Sequence, residues 1–134
     1  MTVLPIRSLA NANKGKVIVL NDVSVSQLGW LYQNSIASIY PSHAEGFGIP
    51  PIEAIASGGR SYCSDNTALA DLADYVDGTF DSHDADSIYA ALGHAYSNRH
   101  FSSPEPQQRV CEEFNWEKIA RGYVSAIQDR LANH

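Results

Sequence analysis

The sequence predicts an α/β domain: a parallel sheet of about four short strands with flanking helices. Three observations predict it. Strand-length runs recur at residues 17–20, 36–40, 60–64 and 76–80, the last of them weak and broken by Asp77 and Gly78. Stretches with apolar residues at helical spacing fall between and after those runs. Strands that alternate with helical crossovers pair in parallel and are covered on both sides.

Each element has a local reason. Val17, Ile18, Val19 and Leu20 make a short, β-branched run of the kind a buried parallel strand needs, and Asn21-Asp22 ends it. Ser24 and Gln27 have capping-box spacing, so a helix starts there, with Val25, Leu28, Leu31 and Tyr32 at helical intervals. The run 36–40 is a second strand, stopped by Pro41. Pro50 and Pro51 suit the first turn of a helix, where no amide donor is needed; Ile52, Ala54, Ile55 and Ala56 continue it, and Gly58-Gly59 close it. A third strand follows at 60–64, a small helix at 68–75 and the weak strand at 76–80.

The remainder is helical. Residues 84–97 carry Ile88, Ala91, Leu92, Ala95 and Tyr96 on one face, and a polar linker leads to a helix over 104–114. Asn115 is a good N-cap for the last helix. There Trp116, Ile119, Ala120, Tyr123, Val124, Ile127 and Leu131 form a continuous apolar stripe, expected to lie on one face of the sheet. Trp30 and Tyr32 are expected in packing roles as well. The whole, residues 1–134, reads as a single domain with a strand and helix core at 17–97 and C-terminal helices at 104–132.

Composition excludes several classes. A net charge of −6 without a Lys/Arg cluster argues against a nucleic-acid surface. No apolar run approaches the roughly 18 residues a membrane span needs. Residues 1–9 are too short and too weakly apolar for a signal peptide. Cys63 and Cys111 make no metal or disulfide pattern and read as buried thiols of a cytoplasmic protein. The acidic run from Asp81 to Asp86 reads as a polar turn before a helix, His43 as a rim residue, and His94 and His100 lack metal-ligand spacing.

Chemistry concentrates in Glu45-Gly46-Phe47-Gly48-Ile49-Pro50-Pro51-Ile52-Glu53, which joins the second strand to the following helix. In a parallel sheet ligands bind beyond the carboxyl ends of the strands, where this loop falls. Gly46 and Gly48 permit close backbone approach and positive φ, and the amides after them open a helix that attracts an anion. Glu45, repelled by a bare phosphate, suits hydroxyls or a sugar ring that turns positive during transfer. Glu53, expected in the first helical turn, accepts hydroxyl hydrogen bonds from a ribose. A phosphate flanked by hydroxyl-binding carboxylates describes a nucleotide-sugar site. Pro51 replaces the third glycine of a dinucleotide fingerprint, and no Gly-Lys-Ser/Thr follows as in a phosphate-binding P-loop.

These residues carry a family resemblance. Val23-Ser24 through Leu31-Tyr32, Ile39-Tyr40-Pro41-Ser42, the Glu45-to-Pro50 loop with Glu53-Ala54, and Phe114-Asn115-Trp116-Glu117-Lys118 resemble the family 4 (group 1) retaining glycosyltransferases. Residues 17–128 look like the C-terminal, nucleotide-sugar-binding half of their two-domain B-type fold, a Rossmann-like domain. The resemblance implies that Glu45 is a catalytic residue facing the donor sugar and that Glu53 holds the ribose. It implies that amides of Gly46, Phe47, Gly48 and Ile49 contact the sugar and diphosphate, with base contacts from the backbone around Asn21 to Ser24. It further implies a UDP- or GDP-hexose donor, a glycan or lipid-linked acceptor, no metal and no other cofactor.

The sequence departs from the pattern at Arg60, where the family usually has proline, and at Ala70-Asp71, where it has Pro-Glu. The N-terminal acceptor domain and the first two strands of the donor domain are expected to be absent, with their basic residues, leaving Lys14, Lys16 and Arg60 as candidate partners for the diphosphate. Two functions follow as expectations. One is the donor-binding portion of a hexosyltransferase of polysaccharide biosynthesis, inactive alone and cytoplasmic, at the inner face of the membrane in a full-length context. The other is a non-catalytic interaction module derived from that fold. An open sheet edge at 17–20 points to a homodimer or a partner chain.

Overall fold

The computed structural model describes residues 17–100 and 103–132. Helix α1 spans Val25–Asn34, strand β1 Ser38–Tyr40, helix α2 Ile49–Ala56 and strand β2 Ser61–Ser64. A 3-10 helix at Thr67–Leu72 precedes strand β3 at Gly78–Phe80; helices α3 (Ala85–Ser97), α4 (Glu105–Glu113) and α5 (Trp116–Ala132) follow. The sheet is parallel throughout with β2 in the middle, in the order β1-β2-β3. Ser38 pairs with Ser61 and Tyr40 with Cys63; Tyr62 pairs with Gly78 and Ser64 with Phe80.

Alternation along β2 divides the core between two faces. Cys63 joins Ile52 and Ile55 of α2, Leu69 and Leu72 of the 3-10 helix, and Val110 of α4. Tyr62 packs with Phe80 and with Ala91 and Ala95 of α3. Helices therefore cover both sides, as a parallel sheet requires. Each buried Ile or Leu here contributes on the order of 2 kcal/mol through lost apolar surface.

Local signals account for the boundaries. Ser24 and Gln27 close the capping box on α1: the Gln27 amide donates to Ser24 Oγ at 3.3 Å and the Ser24 amide donates to Gln27 Oε1 at 2.9 Å. Gly58, at φ +82°, ends α2 in the left-handed region. The next residue, Gly59, lies so close to α1 that a Cβ would overlap the Tyr32 carbonyl oxygen. Asn115 Oδ1 accepts from the amides of Glu117 and Lys118 at 2.9 and 3.2 Å, as an N-cap should.

Four expectations fail. Residues 17–20 form no strand, and Ile18 and Leu20 remain 75% and 55% exposed. A four-residue run gains a strand only by pairing, and β1 pairs with β2 alone. The open edges among the described residues are consequently β1 and β3. The stripe on α5 does not lie on the sheet, because no residue of that helix is buried. Trp30 and Trp116 are likewise exposed rather than core. Cys63 is fully buried, but Cys111 is exposed: Val110, one position earlier, is the α4 residue that faces the core, so its neighbour turns to solvent. Lys14 and Lys16 lie outside the described residues.

Candidate functional site

Three loops leave the carboxyl ends of the three strands, and short polar side chains tie them together. Ser42, after β1, receives a hydrogen bond on its carbonyl from Ser64 Oγ of β2. Asn66 Nδ2, after β2, donates to Ser82 Oγ at 3.0 Å, and Ser82, after β3, meets His43 Nδ1 at 3.1 Å. His43 stacks on His83 with ring centroids 4.4 Å apart. The acidic run after β3 is a turn: Asp81 Oδ1 accepts the His83 amide and Asp84 Oδ1 the Asp86 amide.

Glu45 stands within this frame. Tyr40 Oη and Ser42 Oγ both donate to its Oε1 at 2.8 Å. Those bonds, Tyr40's first, hold the Glu45 carboxyl below its ordinary pKa, because they stabilise the ionised form. The Tyr40 hydroxyl is raised in turn, chiefly by the same bond. The Glu45 amide donates to Thr67 Oγ1 at 3.0 Å.

The glycines divide their work. Gly48 has φ +94° and is buried at the N-cap of α2; a Cβ there would overlap Leu69 Cδ2 and come within 3.0 Å of Leu72 Cδ1. Core packing, not approach to a ligand, is what the structure demands of Gly48. Gly46 has open space around it and does not take a positive φ. Phe47 and Ile49 are half exposed, and Phe47 meets the Phe114 ring edge-on at 5.7 Å.

Glu53 is exposed and sits in the second turn of α2, since the helix begins at Ile49 and no acid occupies its first turn. It therefore lies further from the positive end of the helix dipole than the sequence implied. Burial first, and the Glu53 charge second, raise the Tyr32 hydroxyl above its ordinary pKa. Tyr32 in turn is among the lesser causes that raise Tyr40, the partner of Glu45. A cavity of about 320 Å³ opens at the start of α1, lined by Leu20, Asn21, Asp22, Val23, Gln27, Trp30 and Leu31.

Arg60 is not at this rim. It lies just before β2, at the amino end of the sheet, where its Nε donates to Asp77 Oδ1 at 3.0 Å and Nη1 to the Asn98 carbonyl at 2.8 Å. Its Nη2 donates to Tyr62 Oη at 2.9 Å. All three guanidinium nitrogens are engaged in the fold, so Arg60 is no substitute cation for a diphosphate at the far end. Sequence reasoning missed Tyr40, Ser42 and Thr67, which hold Glu45. Tyr40 and Ser42 stood close to Glu45 in the chain; Thr67 is brought in only by the β1–β2 pairing.

The family model for group 1 glycosyl transferases matches residues 6–111, and the chain belongs to that family. It is 57% identical over 44 residues to the O-antigen chain mannosyltransferase RfbU of Salmonella typhimurium, a stretch covering 33% of this chain and 12% of that protein. It is 26% identical over 117 residues to the Escherichia coli O-antigen chain mannosyltransferase B, covering 86% of this chain and 31% of that protein. The E. coli serotype-specific mannosyltransferase WbdA is 27% identical over 104 residues, 73% of this chain and 13% of its own length. The chain thus spans less than a third of these relatives. No solved structure matches it.

Proposed function

We propose that this chain is the donor-binding portion of a retaining glycosyltransferase that moves a hexose from a UDP- or GDP-sugar to a glycan or lipid-linked acceptor. The observation that carries the reading is the Glu45 carboxylate, kept ionised by Tyr40 and Ser42 at the carboxyl rim of a parallel sheet. A fixed negative charge there favours the positive charge that develops on a departing sugar ring. The amides of Gly46, Phe47, Gly48 and Ile49 would meet the sugar and diphosphate, Glu53 the ribose, and the cavity at Asn21–Trp30 the base. Three relatives bearing the name mannosyltransferase support mannose as the sugar.

Calorimetric titration with GDP-mannose, UDP-glucose, GDP and UDP tests it. Glu45→Gln and Glu53→Ala should each weaken binding by roughly 1–3 kcal/mol, the scale of a lost charged hydrogen bond. Unchanged affinity in both variants would sink the reading. Among the described residues no helix is long and apolar enough to cross a membrane. A full enzyme in the cytoplasm, at the inner membrane face, is a separate part of the proposal and rests on the family.

A second reading, a non-catalytic module, is favoured by one observation: Arg60 is held at the opposite end of the sheet from Glu45. With Arg60 engaged there, this reading has the isolated chain transfer nothing, and sugar transfer by the purified chain would refute that. The free edge of β1 makes pairing with a second copy or a partner chain part of the same proposal. A monomer at every concentration in sedimentation would count against it.

A further inference from the structure

We infer that Thr67 is a positioning residue for Glu45, an inference that rests on the donor-binding reading above. Two independent observations meet at this side chain. Its Oγ1 accepts the Glu45 amide at 3.0 Å, across 22 positions of sequence. Its backbone has φ +48°, a left-handed conformation shared among the described non-glycine residues only with Asp22. A β-branched side chain in that region is strained, and such strain persists where the surroundings over-determine it.

Glycine would relieve the strain and threonine bears it, so backbone preference does not explain the residue. The hydroxyl does. Tyr40 and Ser42 hold the carboxylate of Glu45, but they belong to its own strand and loop. Thr67 holds the backbone of Glu45 from the start of the 3-10 helix after β2. Gly46, the next residue, has nothing within 4 Å of a would-be Cβ, so it supplies no lateral support. Thr67 is therefore one of the ties, with Ser64 on the Ser42 carbonyl, that set where the Glu45 segment stands over the sheet, and it is the one that reaches the Glu45 backbone itself. It does not touch the reacting sugar itself; it acts through Glu45.

The test measures sugar-nucleotide affinity and stability together in the full chain. GDP-mannose and UDP-glucose are titrated into the wild type and into Thr67→Ser, Thr67→Ala and Thr67→Gly, and the thermal midpoint of each is recorded. Thr67→Ser keeps the hydroxyl and should bind within about twofold of wild type. Thr67→Ala and Thr67→Gly should bind about five- to tenfold more weakly, the loss of one hydrogen bond. Both lose the hydrogen bond, but Thr67→Gly also relieves the strain, so it should melt above Thr67→Ala while binding no better. Under a merely structural role affinity would follow the midpoint, and Thr67→Gly would bind more tightly than Thr67→Ala. Wild-type affinity in Thr67→Ala or Thr67→Gly overturns the inference and leaves the donor reading standing. A wild-type chain that binds neither sugar nucleotide overturns the donor reading, and the inference with it.

Discussion

Arg60 and Asp77 form a charged hydrogen bond of 3.0 Å across the starts of β2 and β3, with their side chains only 15% and 23% exposed. Asp77 Oδ2 also accepts the Ser61 amide at 2.9 Å, and Arg60 continues to the C-terminal turn of α3. One guanidinium thus joins two strands and a helix. Arg60→Ala leaves a largely buried carboxylate without its partner and should cost about 2–3 kcal/mol in urea unfolding. Sugar-nucleotide affinity, set at the other end of the sheet, should not change.

The Tyr40–Glu45 bond gives a pH signature. In Tyr40→Phe the Glu45 carboxyl loses the main cause of its lowering, and its midpoint should rise towards the ordinary carboxylate value. A folded-state pKa below the unfolded one stabilises the fold above the unfolded value, and that contribution disappears as pH falls through the folded one. Acid unfolding of Tyr40→Phe should therefore lose this pH dependence between those two values. The Glu45 Cδ chemical shift, followed through an NMR titration, checks the midpoint directly.

The two thiols should separate in reactivity. Burial pushes Cys63 up to about 11, while Cys111 is exposed on α4. A thiol reagent at about pH 8 should label Cys111 within minutes and Cys63 only after denaturant is added. Equal rates would mean that β2 opens readily.

Gly48→Ala tests whether packing requires that glycine. The added methyl meets Leu69 and Leu72 and must accept a φ of +94°. The two penalties together should cost about 2–4 kcal/mol, readable as a lowered denaturation midpoint. A ligand-approach role alone would leave the midpoint of the free chain almost unchanged.

Much of the fold was legible because its signals are local. The Ser24/Gln27 box, the Pro50-Pro51 entry to α2, the Gly58 exit and the Asn115 cap each act within four residues. What escaped depends on partners distant in sequence. Residues 17–20 have strand composition but no ladder neighbour. Cys111 and Val110 differ in burial by which side of one helix turn meets the core. Glu45 was identified from its loop; Ser42 lies on that same loop and Tyr40 at the end of the strand that leads into it. Thr67 was invisible because no spacing rule links residues 22 positions apart in separate loops. Arg60 was considered for the wrong end of the sheet, since composition alone does not reveal that Asp77 waits beside it.

The final helix, with no residue tucked beneath the fold, must sustain its own backbone much as a free peptide of 17 residues does. An isolated helix only slightly longer than the roughly 12–15 residues at which even alanine-rich peptides are marginal gains little stability of its own in water. Its amide hydrogens should swap for deuterium long before those of β2, and trypsin should clip after Lys118 or Arg121 while the sheet stays intact. Shortening the chain at residue 115 would then leave the melting of the sheet unmoved.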